Sequence, residues 1–161
     1  MMKVIDIHLE CTEGTSNKYW HGQVIRTTAI GRTTYVFNAH YGRIGATGQE
    51  TNKAATTVFN AFNMLLTKLK EKVKKGYVFR SDSIVLSKKD REYMEKDLEV
   101  ALSRFSASAQ SLPGWIPPAA ITKKEALKTS DVAGKYKYTD MKKSSPASPA
   151  SKVVRKAMIT I

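Results

Sequence analysis

The chain has 161 residues, 42% of them hydrophobic, enough for one ordinary domain with an appendage or two very small domains. Lysine and arginine outnumber aspartate and glutamate 27 to 14, and the resulting net charge of +13 favours a polyanionic partner, nucleic acid or an anionic membrane, unless it serves solubility alone. The single cysteine, Cys11, excludes an intramolecular disulfide, and no apolar run approaches the roughly 20 residues of a membrane-spanning helix.

The opening segment, MMKVIDIHLECTEG, places Asp6 and Glu10 where a signal peptide needs an apolar core, so an intracellular setting is expected, in cytoplasm, nucleoid or nucleus. Within it, Ile5, Ile7, Leu9 and Cys11 alternate with Asp6, His8 and Glu10, the period of a half-buried strand over residues 4–11. TEGTSN is turn chemistry, and KYWHGQVIRTTAI predicts a second strand over residues 18–30. Gly31-Arg32 makes a tight connection, after which TTYVFNAHYG resumes strand character. Three consecutive strands with short links imply an antiparallel sheet.

The period then changes. Ala55, Val58, Phe59, Phe62, Leu65, Leu66, Leu69 and Val73 recur at spacings of three and four, one face of a helix. Thr51 or Asn52 is the expected N-cap, and Gly76 stands where a left-handed C-terminal cap is wanted. Lys68, Lys70, Lys72, Lys74 and Lys75 crowd the last turns, where they suit the helix dipole. A helix laid across the sheet makes residues 1–80 an α+β domain.

Residues 77–86 predict one extra strand. A second amphipathic helix follows over residues 87–105, with Ser87 as N-cap, Asp90 three later, and Met94, Leu98, Ala101, Leu102 and Phe105 on its apolar line. LPGWIPPAA holds three of the five prolines and is expected to break regular structure, with Trp115 anchoring the loop back onto the domain. Residues 81–122 thus form a helical extension with a proline-rich loop, and residues 123–161 a basic, low-complexity tail. By charge, residues 1–80 hold 12 basic and 5 acidic side chains, 81–122 hold 5 and 6, and 123–161 hold 10 and 3. Two basic regions flank a nearly neutral middle.

Between the third strand and the helix lies AHYGRIGATGQ. Gly42, Gly45 and Gly48 let the backbone reach positive φ and approach another surface closely. Arg43 offers a five-donor fork for phosphate, Tyr41 a ring for stacking, and the start of the following helix a set of amides for an anion. An ordinary hairpin with a bulge glycine and a surface arginine remains open at this point. So does a merely solvated role for Lys53, Lys68, Lys72 and Lys75, which otherwise supply phosphate contacts beside the corner.

The order NKYW, then YVFNAHYGRIGATGQ, then an amphipathic helix ending KVKKGY resembles the WGR domain of poly(ADP-ribose) polymerases and of assorted bacterial proteins, over about residues 5–77. That resemblance implies a twisted antiparallel sheet with one helix packed across it, and DNA binding in which the aromatic packs on a terminal nucleotide. The matching triplet is Tyr41, Gly42 and Arg43, with tyrosine in place of the family's tryptophan. Nothing after Tyr77 is long enough for the polymerase catalytic domain, so the resemblance implies DNA binding without ADP-ribosylation.

Other chemistry finds little support. A zinc site would draw on His8, Cys11, His21 and His40, but His8 and Cys11 point to opposite faces of a strand and no CxxC or HxxxH pair exists. No metal, cofactor or catalytic residue is expected, since neither a nucleophile triad nor a phosphate loop is present. The sequence therefore predicts a non-enzymatic protein binding double-stranded DNA, perhaps at ends or nicks, with RNA as a second polyanion. The rival is an adaptor or inhibitor that meets a protein such as a polymerase or nuclease through residues 87–105 or the C-terminal tail.

Overall fold

A computed structural model describes residues 1–125 of the chain. The expected meander is present: β1 (Met2–Cys11), β2 (Lys18–Ala29) and β3 (Arg32–Arg43) pair antiparallel in sequence order. A two-residue turn at Ile30-Gly31 joins β2 to β3, with both residues at positive φ (50° and 71°) and Ala29 paired to Arg32.

The next element departs from expectation. Residues 51–55 do not open the helix; they belong to a fourth strand, β4 (Gln49–Ala55), antiparallel to β3 from Tyr35↔Ala55 to Tyr41↔Gln49. Its sequence, QETNKAA, carries no apolar alternation because it is an edge strand with most side chains in solvent. The helix α1 spans Val58–Lys74, and its N-cap is Thr57, whose hydroxyl accepts the Asn60 N–H at 3.2 Å. Val58, Ala61, Phe62, Leu65 and Leu69 are buried from this helix, and Ala55 contributes from the strand instead. Gly76, at φ 85°, ends the helix as expected.

Where one strand was expected over residues 77–86, two short ones form, β5 (Val78–Phe79) and β6 (Ile84–Leu86), both antiparallel to β1. Ser87 caps as expected, accepting the Asp90 N–H at 3.2 Å, but the helix it opens, α2 (Lys88–Arg91), is a single turn. A break precedes α3 (Lys96–Ala109). The break has a tertiary cause: Glu95, extended at ψ 135°, takes a 2.6 Å contact from Arg26 and a 2.8 Å bond from the Tyr35 hydroxyl. Those two sheet residues hold the chain where a continuous helix would need to turn.

The proline-rich stretch is not wholly irregular. Pro117 and Pro118 lead into β7 (Ala119–Ile121), which runs parallel to β6 and donates its Ala119 N–H to the Ser83 carbonyl at 2.8 Å. Trp115 does anchor the loop, edge-on to Phe79 and Phe105 at 5.1 and 6.2 Å between ring centroids. The sheet order is β4-β3-β2-β1-β6-β7, with β5 also on β1. The fold is therefore α+β, a mainly antiparallel sheet with helices packed on it. Leu98, Ala101, Leu102, Phe105 and Ala109 of α3 join α1 and the sheet in one core, so residues 81–122 complete this core as well as extending it. The basic tail, apart from residues 123–125, lies outside the described residues, as does the possible docking role assigned to it.

Candidate nucleic-acid interface

The period of two along β3 explains the aromatic–glycine–arginine order. Tyr35, Phe37 and Ala39 are buried toward the helix, and Tyr41 and Arg43 continue that face, Tyr41 half-buried against the core edge and Arg43 exposed. Gly42 faces the opposite side. In register with β2, Trp20 stands opposite Tyr41, and Lys18 opposite Arg43. Trp20 is core, 1% exposed, with its ring over Gly22, where an added Cβ would lie 2.0 Å from the ring.

Only one of the three corner glycines uses positive φ: Gly45, at 83° in the loop between β3 and β4. Gly42 and Gly48 are required by close approach instead. A Cβ on Gly42 would fall 2.8 Å from the Gly48 Cα, and one on Gly48 would meet the Tyr19 hydroxyl at 2.0 Å and the Tyr41 carbonyl oxygen at 2.6 Å. The two strands thus touch backbone to backbone just behind the Tyr41 and Arg43 side chains.

The helix contributes from its C-terminal end, not from its start. Ala55 pairs with Tyr35, six positions along β3 from Tyr41, which carries the beginning of α1 about 20 Å from the corner. The anion-binding role expected of that helix start is therefore corrected. In its place Lys72 sits over two rings, its Nζ 5.7 Å from the Tyr41 centroid and 5.2 Å from the Tyr77 centroid. Burial lowers the pKa of Lys72, and repulsion from Lys75, Lys68 and Lys18 lowers it further against the pull of Glu71.

The remaining lysines are placed differently. Lys68 and Lys75 both pair with Glu71, at 2.7 and 2.8 Å, and their hydrogen bonds pull the Glu71 carboxyl down to about 2. Lys53, from β4, lines a shallow groove with Asn60, Asn63, Met64, Thr67 and Lys68 along the flank of α1. Lys72 is thus at the corner, whereas Lys53 and Lys68 form a basic edge farther along the helix.

An open cleft of about 570 Å³ is lined by Thr15, Asn17, Lys18, Tyr41, Gly42, Arg43 and Tyr77. The Ile44 N–H donates to the carbonyl of Asn17, one of these lining residues, at 3.0 Å. Lys18 and Arg43 have no acidic partner among the described residues. Sequence reasoning missed Lys18, Thr15, Asn17 and Tyr77 as members of this cleft. Their signal is the register set by the turn at Ile30-Gly31, which fixes the residue opposite Arg43 as Lys18.

The same register acts on the far face of the sheet. His8, His21 and His40 stand opposite one another across β1, β2 and β3, a convergence that spacing along the chain did not reveal. Cys11, by contrast, is buried. Among the described residues no helix is long and apolar enough to cross a membrane.

Compared with known proteins, residues 5–84 match the family model described as the WGR domain. No curated protein and no solved structure matches the chain.

Proposed function

Through residues 5–84 this chain belongs to the WGR domain family, a family of nucleic-acid-binding domains, and from that premise we propose that it is a non-enzymatic, intracellular protein that binds double-stranded DNA at ends or nicks. The observation that carries the reading is the cleft at the open end of the meander. There Lys18 and Arg43 face each other, and Lys72 lies over Tyr41 and Tyr77. Like charges directly opposite on adjacent strands destabilise a sheet unless an anion lies between them. A phosphate supplies that anion, Arg43 its bidentate fork, and the Tyr41 ring a platform for the neighbouring sugar or base.

Lys53 and Lys68 extend the positive surface along α1, with Lys75 beside Glu71. The basic tail adds affinity that is independent of sequence through counterion release. The adaptor alternative draws on residues 87–105, where Leu98, Ala101, Leu102 and Phe105 are spent on the core while Tyr93 and Val100 remain exposed. A mobility-shift series with linear, nicked and closed-circular duplexes and single-stranded RNA tests the proposal. Preferential retention of linear and nicked DNA is the expected outcome. Equal and weak retention of all four would leave only charge attraction.

A further inference from the structure

The face of the sheet opposite α1 carries side chains the cleft does not use. Across β1 and β2, Asp6 stands opposite Gln23 and His8 opposite His21; His40 follows on β3. Asp6 is 2% exposed. Its Oδ2 receives both the Lys3 ammonium at 2.9 Å and the Gln23 amide at 2.8 Å. Its Oδ1 is buried, 3.1 Å from His8 Nε2, and out of alignment for a hydrogen bond with it. A buried carboxylate oxygen without an aligned donor is uncommon and marks a missing partner.

The surroundings specify that partner. His8 Nδ1 lies 2.9 Å from Asp82 Oδ2, near enough for Asp82 to hold the proton on Nδ1. Neither ring nitrogen is aligned for a hydrogen bond as it stands, and a turn of the ring frees the Nε2 lone pair for a metal. A carboxylate behind a histidine is the usual support of a metal-binding imidazole. The His21 ring is stacked on that of His8, with centroids 3.8 Å apart and planes at 5°. One ligand atom from each of Asp6, His8 and His21 falls within a span of 4.8 Å. With neutral imidazoles, Asp6 and Asp82 exceed the charge of Lys3 by one, so the cluster attracts a cation.

We propose that Asp6, His8 and His21 bind a divalent transition cation of the zinc class, with Asp82 as the positioning residue for His8. The donor set, two imidazoles and one carboxylate, suits Zn²⁺ or its substitute Co²⁺ and leaves a coordination position for water. Bond lengths of about 2.0–2.2 Å place tetrahedral ligand atoms about 3.3–3.6 Å apart. Asp6 Oδ1 and His8 Nε2 are already near that separation. His21, half-buried, turns its ring out of the stack to complete the set. Asp82, 62% exposed at the side chain, marks the open side through which the ion enters.

The full chain, purified free of metal, is titrated with Zn²⁺ by calorimetry and with Co²⁺ by visible absorption. One saturable equivalent is expected, with weak d–d bands, no thiolate charge-transfer band and a rise in Tm on adding Zn²⁺. His21→Ala and Asp6→Asn should each weaken binding at least tenfold, and Asp82→Asn by about 10–100-fold, while Cys11→Ser leaves it unchanged. Far-ultraviolet circular dichroism checks folding. If Asp6→Asn fails to fold, the half-buried His21 and the exposed Asp82 still decide the question. Absence of saturable binding by the native chain overturns the proposal. So does unchanged affinity in folded His21→Ala and Asp82→Asn, or loss of binding in Cys11→Ser.

Discussion

Lys18 and Arg43 face each other across adjacent antiparallel strands at the rim of the cleft, two positive charges in direct register. In the unliganded protein this pair opposes folding by a few tenths of a kcal/mol to about 1 kcal/mol. Replacing either residue by alanine should therefore leave stability unchanged or slightly improved while weakening DNA binding. For Arg43→Ala the binding loss should be about 1.5–3 kcal/mol, the range of a charge-assisted hydrogen bond. Arg32→Ala, at the far end of β3, is the control. Equal small losses for Arg43 and Arg32 in a fluorescence-anisotropy titration would make Arg43 an ordinary surface charge.

Tyr41 has two roles that mutation can separate. Its ring packs on the core edge and lies under the Lys72 ammonium. Tyr41→Phe keeps both and should bind DNA nearly as the native chain does. Tyr41→Trp, which restores the family's aromatic, should bind linear DNA at least as well. Tyr41→Ala should lose about 1–3 kcal/mol of binding, the scale of aromatic–base stacking, and also lower Tm. If Tm falls with no change in affinity, the ring is structural only.

The backbone contact between Gly42 and Gly48 makes a sharper prediction. Gly42→Ala puts a methyl 2.8 Å from the Gly48 Cα, where neither strand has a flexible atom to move. Destabilisation of about 1–3 kcal/mol is expected, read as a lower urea midpoint, together with weaker DNA binding. Gly45→Ala meets no atom within 4 Å and should suffer only the cost of its positive φ, about 1 kcal/mol, with binding largely kept. Reversal of that order would place the constraint in the loop and not at the strand contact.

Much of this arrangement could be read from the sequence. The alternation in residues 4–11 and the helical spacing from Val58 to Val73 reflect burial on one side, which leaves a periodic trace. β4 left none, because an edge strand in solvent has no need of apolar residues. The break at Glu95 was equally hidden, since it depends on Arg26 and Tyr35, about 60–70 positions away in the chain. The Tyr41-Gly42-Arg43 triplet was legible, but its partners were not. Reading the connection as Gly31-Arg32 instead of Ile30-Gly31 moves every β2–β3 partner by two residues, setting Trp20 opposite Arg43 and Gly42 opposite His21, so the faces are kept but the partners are wrong. With the correct turn, Lys18 opposite Arg43 and His21 opposite His40 both follow from the β2–β3 pairing.

Acid should act on the Arg26–Glu95 link. Its hydrogen bond from Arg26, above all, holds the Glu95 carboxyl down to about 2, from an ordinary value of 4.5. A carboxyl depressed in the folded state stabilises above its unfolded pKa and loses that contribution as pH falls from 4.5 through 2. The Glu95 side chain is 37% exposed, so solvent screens part of the effect. The urea midpoint of the native chain should fall more between pH 6 and pH 3 than that of Glu95→Gln. Parallel losses would show that other carboxylates govern acid unfolding.

Phosphates bound at the cleft make duplex binding depend steeply on salt. Log affinity plotted against log salt should have a slope of several units for the native chain, about 0.9 for each phosphate neutralised. Deleting residues 123–161 should flatten the slope while leaving a weaker, folded binder. Replacing Lys18 and Arg43 together by alanine in the full chain should reduce its magnitude by roughly one to two units. A slope near zero in the native chain, or one unaltered by the double replacement, would contradict phosphate binding at this site.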